Sequence, residues 1–136
     1  MEMAQKHILI VEDELETLHI LEHILKSESY KVSTAISCNI AFDIILKLER
    51  KREPIDLLIT DIQMPDFSGE ELLECINLIG TKFPIIVITG YGNEELQLEL
   101  KYKGCKKYIE KPFSKEVLLN NVQSLIKEKY TSNVNR

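Results

Sequence analysis

The segment ILIVEDE, residues 8–14, decides the fold, because four apolar residues lead directly into three acidic ones. An unbroken apolar run of this length is typical of a strand that is buried on both faces of a sheet. Similar short runs follow at residues 32–35, 57–59, 85–88 and 108–109. We interpret the five runs as five strands.

The segments between these runs have the apolar spacing of helices. Leu18, Leu21 and Leu25 recur at i, i+3 and i+7, which places an apolar stripe on one side of a helix. The later segments repeat this pattern, and the last helix has its apolar face at Leu118, Val122, Leu125 and Ile126. Strict alternation predicts an α/β fold: a flavodoxin-like, doubly wound (βα)5 domain with a parallel five-stranded sheet and helices on both faces. Because the second run contains polar residues, we expect it at an edge, in the strand order 2-1-3-4-5.

Length and charge limit the classes of function. The chain has 136 residues, which suits one domain, predicted over residues 6–128 and followed by a polar tail at 129–136. A net charge of −5 argues against a nucleic-acid partner, since phosphate backbones are bound by clustered cations. No apolar run approaches the roughly 20 residues that cross a bilayer, so no membrane partner is expected. Three cysteines, far apart in sequence, favour a reducing cytoplasmic location.

Polar residues follow four of the predicted strands: Glu12, Asp13, Asp61, Thr89 and Lys111. The carboxyl ends of parallel strands meet at one edge of the sheet, so these side chains should converge there. Carboxylates held together repel one another unless a cation intervenes, and oxygen ligands favour Mg²⁺. Asp61 is the best candidate nucleophile for attack on phosphorus. A lone Asp would more often cap a loop, but here five polar residues arrive together.

The segments that carry these residues resemble the receiver domain of two-component response regulators, the family of the chemotaxis protein CheY. The resemblance rests on the acidic run at 8–14, on DIQMPDFSG at 61–69, on VITG at 87–90 and on YIEKPF at 108–113. It covers about residues 6–128. Each motif is weak alone, whereas the ordered set is specific.

The resemblance implies that Asp61 takes a phosphoryl group from the phosphohistidine of a sensor histidine kinase or a histidine phosphotransfer protein. Mg²⁺ would be bound by Asp13, Asp61 and the backbone carbonyl of Gln63, with Glu12 helping through water. The implied role is regulatory rather than enzymatic, with only intrinsic autophosphorylation and autodephosphorylation.

The resemblance also implies a switch. Lys111 and Thr89 would bind the phosphoryl oxygens, and Tyr108 would turn inward behind Thr89. This movement would alter the face made by the fourth helix, fifth strand and fifth helix, where a downstream protein partner would bind. A phosphorylation-dependent homodimer stays open. The bond between Lys111 and Pro112 is predicted to be cis.

Two variable positions of the family pattern, occupied here by Gln63 and Tyr91, are implied to flank the water that hydrolyses the aspartyl phosphate. An aromatic ring at Tyr91 would crowd that water. We therefore predict a moderately long-lived phosphorylated state.

A basic cluster lies near the fourth helix and fifth strand: Lys101, Lys103, Lys106 and Lys107. Such clusters are most often solvated surface. The alternative, a site for an acidic partner on the output face, stays open.

Three other functions share parts of this pattern. A haloacid-dehalogenase-like phosphatase needs a second acid two residues after its nucleophile, and Gln63 occupies that position. A flavodoxin-like flavin carrier needs a phosphate loop where this chain has acids at 12–14. A pseudo-receiver would tolerate loss of the site residues, yet all are present. Whether the chain is a stand-alone regulator, which we favour slightly, or part of a hybrid kinase or larger regulator stays open.

Overall fold

The computed structural model describes residues 5–64, 69–90 and 92–134, with side chains of the last helix described to residue 126. Strands and helices alternate along this described part of the chain. The strands are β1 His7–Val11, β2 Lys31–Ala35, β3 Leu57–Thr60, β4 Ile85–Thr89 and β5 Lys107–Glu110. The helices are α1 Leu15–Ser27, α2 Cys38–Arg50, α3 Gly69–Ile79, α4 Glu94–Tyr102 and α5 Lys115–Val134. This order confirms the predicted (βα)5 pattern.

The five strands form one parallel sheet in the order β2-β1-β3-β4-β5, as predicted. β1, β3 and β4 lie in the centre, and every residue of these strands is buried. β2 lies at an edge, where most of its residues are partly exposed. The apolar runs therefore identified the central strands correctly, because a central parallel strand is covered on both faces.

Helices cover both faces of the sheet. The apolar residues of α1 and α5 pack on one face, around Ile8 and Ile10 of β1. Those of α2, α3 and α4 pack on the other face, around Leu9 and Val11 of the same strand. Successive residues of a strand point to opposite faces, so β1 contributes to both cores. The two cores fix the sheet and leave the strand ends free to carry the site.

Short polar residues begin three of the helices. The Ser37 hydroxyl accepts from the Ile40 N–H, the Asn93 side chain accepts from the Leu96 N–H, and the Ser114 hydroxyl accepts from the Val117 N–H. Each bond satisfies an amide that has no partner within its own helix. Ser37, Asn93 and Ser114 therefore cap the N-terminal ends of α2, α4 and α5.

The last helix is longer than its apolar face suggests. α5 continues to Val134, through most of the segment for which the sequence predicts a polar tail. Lys and Glu at residues 127–129 are good helix formers, which favours the first part of this extension, whereas helix propensity does not explain residues 131–134. In the part of the chain that the structure describes, no helix is both long enough and apolar enough to cross a membrane.

Candidate functional site

The predicted site residues lie at the carboxyl edge of the sheet. Glu12 follows β1, Asp61 follows β3, Thr89 ends β4 and Lys111 follows β5. Backbone bonds join these ends: the Asp61 N–H donates to the Val11 carbonyl at 3.1 Å, and the Lys111 N–H donates to the Thr89 carbonyl at 2.9 Å. The order 2-1-3-4-5 makes these strands neighbours, so residues that are far apart in sequence form one site.

Lys111 is the centre of the site. Its Nζ donates to Oε1 of Glu12 and to Oδ2 of Asp61, each at 2.7 Å. Oε1 of Glu14 lies 3.5 Å from the same nitrogen. Glu12 is 2% exposed and Asp61 is 8% exposed, so both strong contacts are shielded from water. One ammonium group therefore holds together two buried carboxylates that would otherwise repel each other.

Burial and ion pairing act in opposite directions on the pKa values of this group. Burial alone would lower the pKa of Lys111, but the hydrogen bonds to Asp61 and Glu12 outweigh it and raise the pKa. Burial raises the pKa of Glu12 despite the opposing hydrogen bond from Lys111. The ammonium is therefore fully charged at neutral pH.

Backbone geometry positions the carboxylate of Asp61. Its Oδ1 accepts from the Gln63 N–H at 3.0 Å, while its Oδ2 faces Lys111. The first residue of α3, Gly69, donates its N–H to the Ile62 carbonyl at 3.0 Å. A Cβ at Gly69 would lie 2.6 Å from both the Asp61 carbonyl oxygen and the Ile62 Cα, so a side chain has no space there. The start of α3 is thus packed directly onto the backbone of Asp61.

Thr89 and Tyr108 lie on neighbouring strands behind the site. Thr89 is fully buried, and Tyr108 is half-buried and packs against the core on the α4 side of the sheet. The Tyr108 hydroxyl lies directly against Gly92, where an added Cβ would collide with it. Burial raises the pKa of Tyr108, with smaller contributions from Glu110, Cys105 and Asp61. The ring therefore contacts the loop that leads from Thr89 into α4.

The remaining predicted residues differ in how much the structure describes. Asp13 is exposed on the loop after β1, and the backbone at Gln63 is described, but Tyr91 lies outside the described residues. The bond from Lys111 to Pro112 is cis, as predicted. Within residues 5–64, 69–90 and 92–134, no three His, Cys, Asp or Glu residues form a group that could hold a metal. The Mg²⁺ ligands predicted from the sequence are two carboxylates and one backbone carbonyl, so they do not require a group of three such residues.

Sequence reasoning assigned no role to Glu14. The structure places its carboxylate beside Lys111 at the rim of the site, and its backbone N–H donates to Oε2 of Glu12 at 3.2 Å. The signal was present in the sequence as the third acid of the run at 12–14.

Two grooves flank the site. One, of about 420 Å³, lies between α4 and β5 and includes Leu98, Lys106, Lys107 and Tyr108 in its lining. The other, of about 490 Å³, lies between α1 and the segment after β5 and is lined by Thr17, Ile20, Ile24, Lys111, Pro112, Phe113 and Lys115. The second groove shares Lys111 with the site itself.

The basic cluster predicted near α4 is divided in the structure. Lys101, Lys106 and Lys107 line the groove between α4 and β5. Lys103 instead forms ion pairs with α3, to Glu70 at 3.2 Å and to Glu74 at 3.1 Å. The end of α4 turns the chain at this point, so residues close in sequence face different neighbours.

The fold and the site define a class of protein: a parallel α/β domain with an acidic site and a lysine at the carboxyl edge of its sheet. The model of the response regulator receiver domain matches residues 8–123. The chain therefore belongs to the response regulator receiver domain family of two-component signalling.

Individual relatives agree with this assignment. The chain is 28% identical over 120 residues to the cell cycle response regulator CtrA of Brucella ovis, which covers 88% of this chain and 50% of that protein. This chain thus spans about half the length of the curated relatives it matches. A CheY-like receiver domain protein from Methanospirillum hungatei is 29% identical with a TM-score of 0.85, covering 95% of this chain and 99% of the other. The chemotaxis protein CheY4 of Vibrio cholerae is 27% identical with a TM-score of 0.79, covering 90% and 99%.

Proposed function

We propose that the protein is a phosphoacceptor: Asp61 takes a phosphoryl group from the phosphohistidine of a sensor histidine kinase or a histidine phosphotransfer protein. The observation that carries the proposal is the contact of Lys111 with both Asp61 and Glu12 at 2.7 Å. It supplies a shielded ammonium beside the attacking carboxylate. A cation in this position stabilises the charge on the equatorial oxygens of a transferred phosphoryl group.

The reaction needs no separate base, because the carboxylate of Asp61 is already the nucleophile. One carboxylate oxygen forms the new P–O bond while the P–N bond of the donor phosphohistidine breaks. The imidazole leaves with the bonding electron pair and takes up a proton from solvent. Lys111 then pairs with the phosphoryl oxygens, and the buried Thr89 hydroxyl supplies a neutral donor.

The residues present fit a divalent cation. Glu12, Glu14 and Asp61 all lie against the ammonium of Lys111, Asp13 follows Glu12 on the same loop, and all four side chains offer oxygen ligands. Asp13, Asp61 and the Gln63 carbonyl would hold Mg²⁺, with Glu12 acting through water. The ion would neutralise charge on the phosphoryl oxygens.

Phosphorylation would switch the surface beside α4. Tyr108 contacts both the core and the Gly92 backbone, so a change at Thr89 reaches the ring through a short loop. The groove between α4 and β5 has exposed Leu98 beside Lys106 and Lys107, which suits an acidic partner with an apolar residue. We place the downstream protein partner on the α4-β5-α5 face for this reason.

The second groove is a suitable surface for the phosphodonor. A protein that delivers a phosphoryl group must contact the acceptor domain close to Asp61. The groove lined by Ile20, Ile24 and Phe113 is apolar and includes Lys111, which itself contacts Asp61. A donor helix seated there would have the acceptor within reach.

The proposed receiver domain spans residues 6–128 and is regulatory, with only intrinsic autophosphorylation and autodephosphorylation. Its net charge of −5 gives no support to a nucleic-acid partner. We propose a cytoplasmic location, where sensor kinases present their phosphohistidines.

The test is intact mass spectrometry after incubation with acetyl phosphate and Mg²⁺. A gain of one phosphoryl group, roughly 80 Da, is expected for the native chain, and none for Asp61→Asn or in the presence of EDTA. The matched control is Asp56→Asn, because Asp56 lies at the opposite end of β3 and should leave the gain unchanged. No gain in the folded native chain, with acetyl phosphate and with a phosphohistidine donor, would refute the proposal.

A further inference from the structure

Lys103, at the C-terminal end of α4, is bound to α3 by three polar contacts. Its Nζ lies 3.2 Å from Oε2 of Glu70 and 3.1 Å from Oε1 of Glu74. The side-chain amide of Asn77 donates to the Lys103 carbonyl at 2.9 Å. Glu70, Glu74 and Asn77 are spaced at i, i+4 and i+7, so they share one face of α3. We call these four residues the clasp.

The backbone at the clasp has a shape that favours glycine. Gly104 has φ +103°, and its missing Cβ would lie 3.5 Å from the Asn77 amide oxygen. After this turn, the Cys105 N–H donates to the Leu100 carbonyl at 3.0 Å. The C-terminal end of α4 is therefore held by the clasp on one side and by its own closing turn on the other.

The rest of α4 is held much less firmly. Residues 94–99 include no fully buried side chain: Leu98 is 61% exposed, and Leu96 packs only partly against the core. In the first turn, the cap bond from the Leu96 N–H to Asn93 stays within the helix. Among residues 5–64, 69–90 and 92–134, no ion pair joins that turn to another element. The N-terminal end of α4 is thus the looser end, and it is also the end nearest Thr89.

The helix to which the clasp is fixed packs both into the core and onto the backbone of Asp61. α3 buries Leu72, Leu73 and Ile76 in the core. Its first residue, Gly69, packs on the backbone of Asp61 so closely that a Cβ would not fit. The clasp therefore ties the end of α4 to the element that follows the acceptor strand.

We propose that the clasp is a fixed pivot: when a phosphoryl group occupies Asp61, the N-terminal end of α4 moves while the end at Lys103 stays bound to α3. Lys103 is then a positioning residue for the switch. It lies at the end of α4 remote from Thr89 and touches no reacting group. The movement at the phosphorylated site rests on the function proposed above, whereas the clasp can be tested without any phosphodonor.

Hydrogen exchange of the full chain, followed by mass spectrometry, tests the pivot. Without a donor, Lys103→Met should exchange about three- to fivefold faster than the native chain at residues 99–103, because the ion pairs that join this end of α4 to α3 are lost. Glu70→Gln/Glu74→Gln should give the same change. The control is Lys26→Met, which removes a 2.8 Å pair within α1 and should leave α4 unchanged.

The second arm adds Mg²⁺ and beryllofluoride, a stable mimic of the phosphoryl group. In the native chain, the change in exchange should be confined to residues 92–97, whereas in Lys103→Met it should extend over the whole of α4. Unchanged exchange at residues 99–103 in Lys103→Met, or an even change along native α4, would overturn the pivot. Failure of the acceptor chemistry is seen separately, as no gain of phosphoryl mass.

Discussion

Replacing Lys111 by Met should destabilise the domain far more than removal of an exposed lysine. At 2.7 Å and an effective dielectric constant of about 20, each contact of Lys111 has a gross Coulomb energy of about 6 kcal/mol. Desolvation of the three groups cancels much of this energy. Removing one partner of a buried pair typically costs about 3–5 kcal/mol, because the other charge is left without a partner. Since Lys111 is itself 18% exposed, we expect the lower end, about 3 kcal/mol at pH 7.

Urea unfolding, followed by circular dichroism in EDTA, measures the loss of unfolding free energy in Lys111→Met. The loss should shrink when excess Mg²⁺ is present, because a bound cation restores the missing positive charge. It should also shrink as the pH falls. Without Lys111, the folded-state pKa of Glu12 rises further above its unfolded value of 4.5, so the folded variant gains protons before the unfolded chain does. The difference from the native chain is therefore largest above that raised pKa and falls towards pH 4.5.

The matched control is Lys26→Met. Lys26 Nζ lies 2.8 Å from Glu22, nearly the same distance, but its side chain is 56% exposed. Exposed pairs of this kind contribute about 0.5 kcal/mol or less. Equal losses for the two variants, or a loss for Lys111→Met that ignores both Mg²⁺ and pH, would refute the reasoning that burial makes the Lys111 contacts strong.

Three further predictions concern other parts of the molecule. Gly69→Ala should lower the free energy of unfolding by about 1–3 kcal/mol in urea titrations, because the added Cβ would overlap the Asp61 carbonyl. A gain in stability, as Gly→Ala gives in an ordinary helix, would contradict this packing. The pKa of His7 is lowered chiefly by burial and then by Lys31, so the fold should lose stability as the pH falls below 6.5. A difference in unfolding free energy between the native chain and His7→Gln that stays constant from pH 8 to pH 5 would contradict this prediction. Tyr91→Ala should shorten the lifetime of the phosphorylated form, measured by decay of the added mass, and an equal or slower decay would exclude crowding of the water by the ring.

The sequence predicted the fold and the meeting of the site residues well, for a simple reason. Apolar runs such as 8–11 report burial on both faces of a sheet, and strict alternation with helices leaves few topologies. Once the order 2-1-3-4-5 is fixed, every polar residue that follows a central strand must lie at the same edge. Asp61 and Lys111 could therefore be paired from the sequence alone, although 50 positions separate them.

Contacts that depend on the packing of one helix against another were not predictable in this way. In the sequence, Lys103 looked like part of a basic cluster, because Lys101 and Lys106 are close to it. In the structure, Lys101 and Lys106 line the groove between α4 and β5. Its contact with Glu70 and Glu74 depends on how the end of α4 meets α3. No local pattern reports that geometry.

Lys111 links Asp61 to the groove between α4 and β5. Its side chain binds Asp61, and its backbone N–H is bonded to the Thr89 carbonyl. Three residues earlier on the same strand, Tyr108 contacts the Gly92 loop that leads into α4. In the proposed mechanism, a phosphoryl group on Asp61 would compete with Glu12 for the Lys111 ammonium, at the end of the strand that carries Tyr108. Because β4 and β5 are hydrogen-bonded neighbours, we expect Thr89 and Tyr108 to respond together to that change. We therefore expect the groove between α4 and β5 to be the first surface whose structure changes when the two groups compete for Lys111.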